Sequence, residues 1–381
     1  MNNLFKSNLI NLKHFILLLL ILFVTPDASC QYTNFQLETA YTFGKIIKHT
    51  TKLYHNPSNF SSNFELSLTK KRNGNSIWEN KYGQPTTGFT FTYINSNDKI
   101  IGYIYSFMPT IAFDILKHKK IFIESRIGSG AAFATKHWQK NPLSDTINNY
   151  LGSHFNLYAS VSFLVKYQYS KDLQFKSGIT LSHTSNAGII KPNYGINLLG
   201  GYVGINYQIK NIAPLKIDSN QRAIIYHQKI GADIRVGGSM AEAGFGDGPL
   251  MPIYTFALLG NYTLNRKHKL LFGIDYEYSG KTELFIRNTR QISNSLIKDA
   301  GYLSAVFGNE FLFGNFTIPI QVGVYLNAPY LKSTTHYKKM GLFYYPRLHK
   351  NIYGKGIYCG TMLKVNSFNA DYLELCVGKS F

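Results

Sequence analysis

The sequence predicts an all-β chain folded as a transmembrane antiparallel β-barrel, and three observations carry that prediction. Runs of about 9–14 residues alternate apolar with polar side chains, the period-2 signature of strands with one apolar face. Aromatic residues make up 15% of the 381-residue chain and charged residues only 16%, against about 25% charged in an ordinary soluble domain. Beyond the N-terminal segment no stretch approaches the roughly 18 consecutive apolar residues that mark a membrane-spanning helix. A barrel whose outer wall meets lipid and whose rims carry aromatic girdles fits all three.

The N-terminus reads as an export signal over residues 1–30. Lys6 and Lys13 precede an apolar run from Phe15 to Val24, and small residues at Ala28 and Ser29 lead to Cys30 and Gln31. That run is too short to span a bilayer, which takes roughly 20 residues, and it matches the apolar region of a secretory signal. Cleavage is expected after Cys30. A lipid-modified Cys30 is the competing reading, and Asp27 argues against it.

Strands are then expected in order. They run from Phe35 to Phe43, Phe64 to Lys70, Phe89 to Asn95, Gly102 to Phe113 and Ile121 to Phe133. The clearest is Phe155 to Tyr167, where Leu157, Ala159, Val161, Phe163 and Val165 alternate with more polar residues without a fault. A hairpin over 175–208 follows, and then Ala223 to Val236, Pro252 to Leu264, Lys269 to Ser279, Gly301 to Phe313, Phe316 to Leu326, Lys355 to Val365 and Asp371 to Phe381. Runs near 60 and 340 are ambiguous. The count is about 12–16 strands, with 14 the expected number. No shift in composition marks a boundary, so residues 31–381 are expected to form a single barrel. The last segment, DYLELCVGKSF, places Leu373, Leu375, Val377 and Phe381 on one face and resembles the C-terminal strand of outer-membrane barrel proteins. The expected location is therefore the outer membrane.

The formal net charge of +20 suits an anionic partner, either membrane lipid or nucleic acid. Export and the lack of a recognition helix, zinc finger or ribonucleoprotein motif point away from nucleic acid. Ordinary solvated Lys-rich loops account for the same charge. Cys359 and Cys376 fall on the last two strands, and with the turn centred near Phe368 they point to opposite faces, so a disulfide between them is possible rather than expected. With CxxC and HxxxH patterns both missing, no metal site is expected, and no cofactor is implied. Ser239 to Pro249 is Gly-rich with two acids and reads as a flexible turn rather than a calcium loop. Trp78 and Trp138, near strand ends, suit interfacial anchoring.

The hairpin carries the chemistry. If 175–185 is a strand, Phe175, Ser177, Ile179, Leu181, His183 and Ser185 share its apolar face. The stretch NAGIIKPNYG is dense in turn residues, and a symmetric connection sets His183 opposite Asn197. His183 can then serve as base for Ser185, because positions i and i+2 of a strand are same-face neighbours. Asn197 can accept from the distal imidazole nitrogen and fix its orientation. Asn186 and the backbone N–H groups of Ala187 and Gly188 are candidate oxyanion donors. His-x-Ser alone is a weak signal, and taken alone it reads as interfacial polarity.

The wider string, His183-Thr184-Ser185-Asn186-Ala187-Gly188 with Pro192-Asn193 and Gly195, closely resembles the signature of the lipid A 3-O-deacylase family of outer-membrane esterases. The resemblance covers about fifteen residues in detail. It implies that His183 is the base, that Ser185 is the nucleophile, and that Asn186 with the following amides holds the oxyanion. It also implies that lipid A, the anchor of lipopolysaccharide, is the substrate. Two departures stand out. The family carries Glu where this chain has Asn197, whereas the third residue of outer-membrane phospholipase A is an Asn at the same offset. The founding deacylases are small barrels less than half this size, so the extra strands are expected to leave room for a pore or groove. Phospholipid hydrolysis and a non-enzymatic porin or adhesin stand as alternatives.

Overall fold

The computed structural model describes residues 35–381 apart from 58, 140–146, 210–228, 245, 247, 290–295, 331–333, 347–353 and 367–368. The expected export signal, 1–30, lies outside the described residues. Alternation of apolar and polar side chains builds sixteen strands among them. The first eight are β1 (Phe35–Ile46), β2 (Ser61–Lys71), β3 (Thr86–Asn95), β4 (Tyr103–His118), β5 (Ile121–Ala134), β6 (Phe155–Gln168), β7 (Leu173–Ser185) and β8 (Ile196–Gln208). The second eight are β9 (Ile230–Glu242), β10 (Leu250–Thr263), β11 (His268–Ser279), β12 (Gly301–Phe313), β13 (Phe316–Asn327), β14 (His336–Tyr344), β15 (Gly356–Asn366) and β16 (Asn369–Ser380). A short helix α1 (Ile77–Lys81) precedes β3, and α2 (Gly280–Asn288) follows β11. No helix among the described residues is long and apolar enough to cross a membrane.

The strands close as two barrels of eight, not as one barrel of about fourteen. β1 pairs with β8 and β16 pairs with β9, each antiparallel. The expectation of a single larger barrel fails for a physical reason. Strand alternation fixes which face of a strand is apolar, but it is the same whether β1 closes on β8 or on β16. The strand expected from Phe64 to Lys70 is β2, beginning at Ser61 in the run near 60, the run near 340 is β14, and the run expected from Ala223 is described from β9 onward.

Outward side chains are mostly apolar and inward ones largely polar, with inward apolar clusters such as Ile104, Met108, Tyr158 and Leu198. In β7, Phe175, Ile179 and Leu181 are exposed, while Lys176, Thr180, Ser182 and Thr184 are buried. Among the described residues the extra strands form a second barrel, and ion pairs cross both interiors. In the first barrel Arg126 bridges Glu38 (3.1 Å) and Glu65 (2.6 Å). Lys176 joins Glu38 (2.5 Å) to Glu124 (3.1 Å), and Lys166 continues to Asp114. The second barrel repeats the device: Lys269 meets Glu310 (2.6 Å), and Lys339 meets Asp275 (2.7 Å) and Glu374 (3.1 Å). Eight strands enclose just enough room for side chains, and charges buried there persist only when paired and hydrogen-bonded.

Residues 34–381 form one compact unit, with contacts between the barrels at both ends. At the end with the short turns, Tyr82 stacks obliquely on Phe313 (4.5 Å between centroids) and Trp78 meets the same ring edge-on (6.4 Å). Trp78 therefore sits at the junction of the barrels, and at the opposite end the Trp138 ring lies against Gly246. Cys359 and Cys376 are free thiols on opposite faces, with Gly360, not Cys359, standing across from Cys376.

Candidate active site

The site lies where β7 and β8 run into their connecting loop, at the end of the first barrel that carries the long connections. Antiparallel register sets His183 directly opposite Asn197 and Thr184 opposite Ile196. Odd-numbered residues of β7 face outward, which brings Ser185 beside His183 two residues on. The imidazole is then held from both sides: Nδ1 lies 2.6 Å from Asn197 Oδ1 and Nε2 lies 3.0 Å from Ser185 Oγ. These are hydrogen-bond distances already suited to proton transfer. Gly195, at φ +81°, makes the arrangement sterically feasible, since a Cβ there would come 2.5 Å from His183 Cε1.

The loop after Ser185 is built around Asn186. Its side-chain Nδ2 donates to Ser153 Oγ (3.1 Å) and to the Ile190 carbonyl (2.7 Å), and its Oδ1 accepts from the Gly188 N–H (3.1 Å). Its own backbone N–H donates to Asn193 Oδ1 (3.0 Å). Of the three candidate oxyanion donors, Asn186 and Gly188 are therefore engaged within the loop. The Ala187 N–H has no hydrogen-bond partner among the described residues. Ala187 and Gly188 both adopt positive φ, +58° and +82°. A Cβ on Gly188 would also strike the carbonyl oxygens of Ala370 and Asp371 at 2.7 and 2.8 Å. The loop is thus pressed against the second barrel.

Glu242, at the end of β9, completes the clamp. Its carboxylate accepts the Lys191 N–H (2.7 Å) and the Gly248 N–H (2.7 Å), and its own N–H donates to the Ile189 carbonyl (2.8 Å). The stretch from Ser239 expected as a flexible turn is β-strand up to this residue, and Asp247 lies outside the described residues. Burial and the neighbouring Lys281 push the Lys191 ammonium below its ordinary pKa, opposed by Asp371 and Glu242. A cleft of about 430 Å³ lies beside the loop, lined by Trp138, Gly152, Ile190, Lys191, Glu242 and Leu250. It excludes Ser185 and His183.

Sequence reasoning missed Ser153, Glu242, the role of Asn193, and His49, whose Nδ1 lies 2.8 Å from Asn197 Nδ2. Asn193 lay inside the recognised string and was within reach. His49 arrives by the closure of β1 on β8, Glu242 from the second barrel and Ser153 from the connection ahead of β6, and local spacing carries no trace of them. Among the described residues no cluster of metal-ligating side chains occurs.

The barrel fold and two family matches define an outer-membrane β-barrel of the carboxylic ester hydrolase class. The family model for lipid A 3-O-deacylase (PagL) matches residues 62–206, and that for the acyloxyacyl hydrolase C-terminal domain matches residues 230–381. The chain belongs to the lipid A 3-O-deacylase family and is an outer-membrane lipid A deacylase. The two matches divide at the boundary between the barrels. Neither the phospholipase nor the porin alternative is favoured. No curated protein matches the chain. Among solved structures, the outer membrane enzyme PagL is 18% identical, with 45% of this chain and 99% of that one covered at a TM-score of 0.33. A Rhodopseudomonas blastica porin triple mutant is 9% identical, with 92% and 100% covered at a TM-score of 0.20. Both scores are low, and the family assignment rests on the two family models.

Proposed function

We propose that Ser185 is the nucleophile, His183 the general base and Asn197 the residue that orients His183. The observation that carries this reading is the hydrogen-bonded line from Asn197 through His183 to Ser185 on the outer wall. Ser185 Oγ attacks the carbonyl carbon of a fatty acyl ester while His183 Nε2 takes its proton. The tetrahedral oxyanion is met by the Ala187 N–H, the donor left over when Asn186 and Gly188 organise the loop. Collapse expels the sugar alkoxide, which takes the proton from His183, and the acyl group stays on Ser185. Water, deprotonated by His183, then releases the fatty acid. Asn197 orients the imidazole but carries no charge to stabilise the imidazolium, a weaker arrangement than a carboxylate provides.

The long connections mark the outward-facing end of the barrel and the short turns the periplasmic end. Outer-membrane lipid lies against Ile179 and Leu181, just below the triad, so the ester is reached from within the bilayer where acyl chains meet the sugar. Lipopolysaccharide is taken by its lipid A portion, and no step involves nucleic acid. Mass spectrometry of lipid A from cells expressing the wild type or Ser185→Ala tests the reading. Loss of one acyl chain with the wild type alone is expected, and identical acylation patterns would overturn it.

A further inference from the structure

We infer that His49 is a positioning residue that sets the amide orientation of Asn197 and, through it, the tautomer of His183; the inference rests on the triad proposed above. A carboxylate at the third position presents an oxygen whichever way it turns. An amide does not, because one end accepts and the other donates. With Asn in place of the family's Glu, something must hold the oxygen toward His183.

His49 follows β1, and barrel closure delivers it. β1 pairs with β8 up to Ile46 opposite Leu198, and the Ile47 N–H donates to the Asn197 carbonyl (2.8 Å). There His49 Nε2 lies 3.0 Å from the Tyr194 backbone carbonyl, and His49 Nδ1 lies 2.8 Å from Asn197 Nδ2. A backbone carbonyl can only accept, so its partner Nε2 carries the hydrogen of the neutral ring and Nδ1 is left with a lone pair. That lone pair requires a donor, which is the amide NH₂ of Asn197. The amide oxygen then faces His183 Nδ1, which must hold its hydrogen, and Nε2 is left free to receive the proton of Ser185. Each link fixes the next, and the sense of the whole line is set by the Tyr194 carbonyl. If Asn197 turned over, its NH₂ would meet His183 Nδ1 and force the hydrogen onto Nε2, where it blocks the base. A wrong imidazole tautomer in a catalytic triad lowers kcat by roughly 10⁴-fold.

The test is a cycle between His49 and Asn197 on purified full-length protein, with deacylation of lipid A followed by mass spectrometry and barrel folding checked by heat-modifiable mobility. His49→Leu removes the acceptor and is expected to lower kcat about tenfold with KM little changed. His49→Lys can only donate and is expected to lower kcat further, on the order of 10²-fold. His49→Gln supplies one acceptor and one donor and is expected to restore most of what Leu loses. In an Asn197→Glu background, where both ends of the side chain are equivalent, His49→Leu is expected to cost less than about threefold. Unchanged kcat in both His49→Leu and His49→Lys, or an equal loss with Asn197 and with Glu at 197, would overturn the inference while leaving the triad standing. Activity surviving in Ser185→Ala would overturn the triad itself and the role of His49 with it.

Discussion

Lys191 of the first barrel and Glu242 of the second are joined by a 2.7 Å hydrogen bond from backbone N–H to carboxylate. The loop that follows the proposed nucleophile is therefore held by a strand more than fifty residues away, in a separate barrel (|i−j| = 51). A hydrogen bond to a charged acceptor contributes about 1.5–3 kcal/mol, and Glu242 accepts two. Glu242→Ala is expected to lower kcat roughly 10–100-fold through a loosened Ala187 region. Glu242→Gln, which keeps only one acceptor oxygen, should fall in between. Steady-state deacylation kinetics on the two variants checks the order, and equal activity in both would remove the clamp from the mechanism.

Gly195 and the His183 ring occupy space that cannot be shared. Gly195→Ala places a methyl group 2.5 Å from Cε1 at a backbone conformation that disfavours any side chain. The imidazole must move away from Ser185, and a displacement of about 1 Å costs on the order of 10²-fold in rate. The expected outcome is a folded barrel with activity reduced by that factor, read from deacylation rate alongside heat-modifiable mobility.

Arg126 is the hub of the first barrel's interior, paired with Glu38 and Glu65 at 4% exposure. Arg126→Met leaves the buried Glu65 without its cationic partner and Glu38 with Lys176 alone, and breaking a buried pair in this way costs about 3–5 kcal/mol. Equilibrium urea unfolding in lipid vesicles should show that loss. The double variant Arg126→Met with Glu65→Gln should recover part of it, because the stranded Glu65 charge is gone.

The loop between β3 and β4 should respond to acid. Burial acts to raise the Asp98 carboxyl, but the hydrogen bond from His55 and the Ile100 and Ile101 N–H groups outweigh it and hold the pKa below the ordinary value of 3.8. A carboxyl depressed on folding stabilises the folded form above its unfolded pKa and loses that contribution as pH falls through the folded value. Protection of the Ile100 and Ile101 amides from hydrogen exchange should therefore hold from pH 7 down to about 4 and drop below it. In Asp98→Asn that step should disappear.

Much of the fold was legible because lipid enforces alternation. A strand with one wall in lipid and one in a packed polar interior cannot change period, so runs such as Phe155 to Tyr167 announced themselves. What the alternation could not report was closure. β8 ends on outward Ile205 and Tyr207 much as β16 ends on Val377 and the chain on Phe381, and nothing local says which of them meets β1. The convergence of His183, Ser185 and Asn197 was legible for the same reason as the strands, since the three are tied by parity and a turn. His49 and Glu242 were not, since one arrives through the β1–β8 seam and the other from the second barrel.

That β1 closes on β8 has a consequence for biogenesis. β16 belongs to the second barrel and closes it by pairing with β9. The first barrel must be sealed by an internal strand whose C-terminal end is not free. β8 therefore serves as a terminal strand in mid-chain, and assembly of this protein in the membrane requires two sealing events where a single barrel requires one.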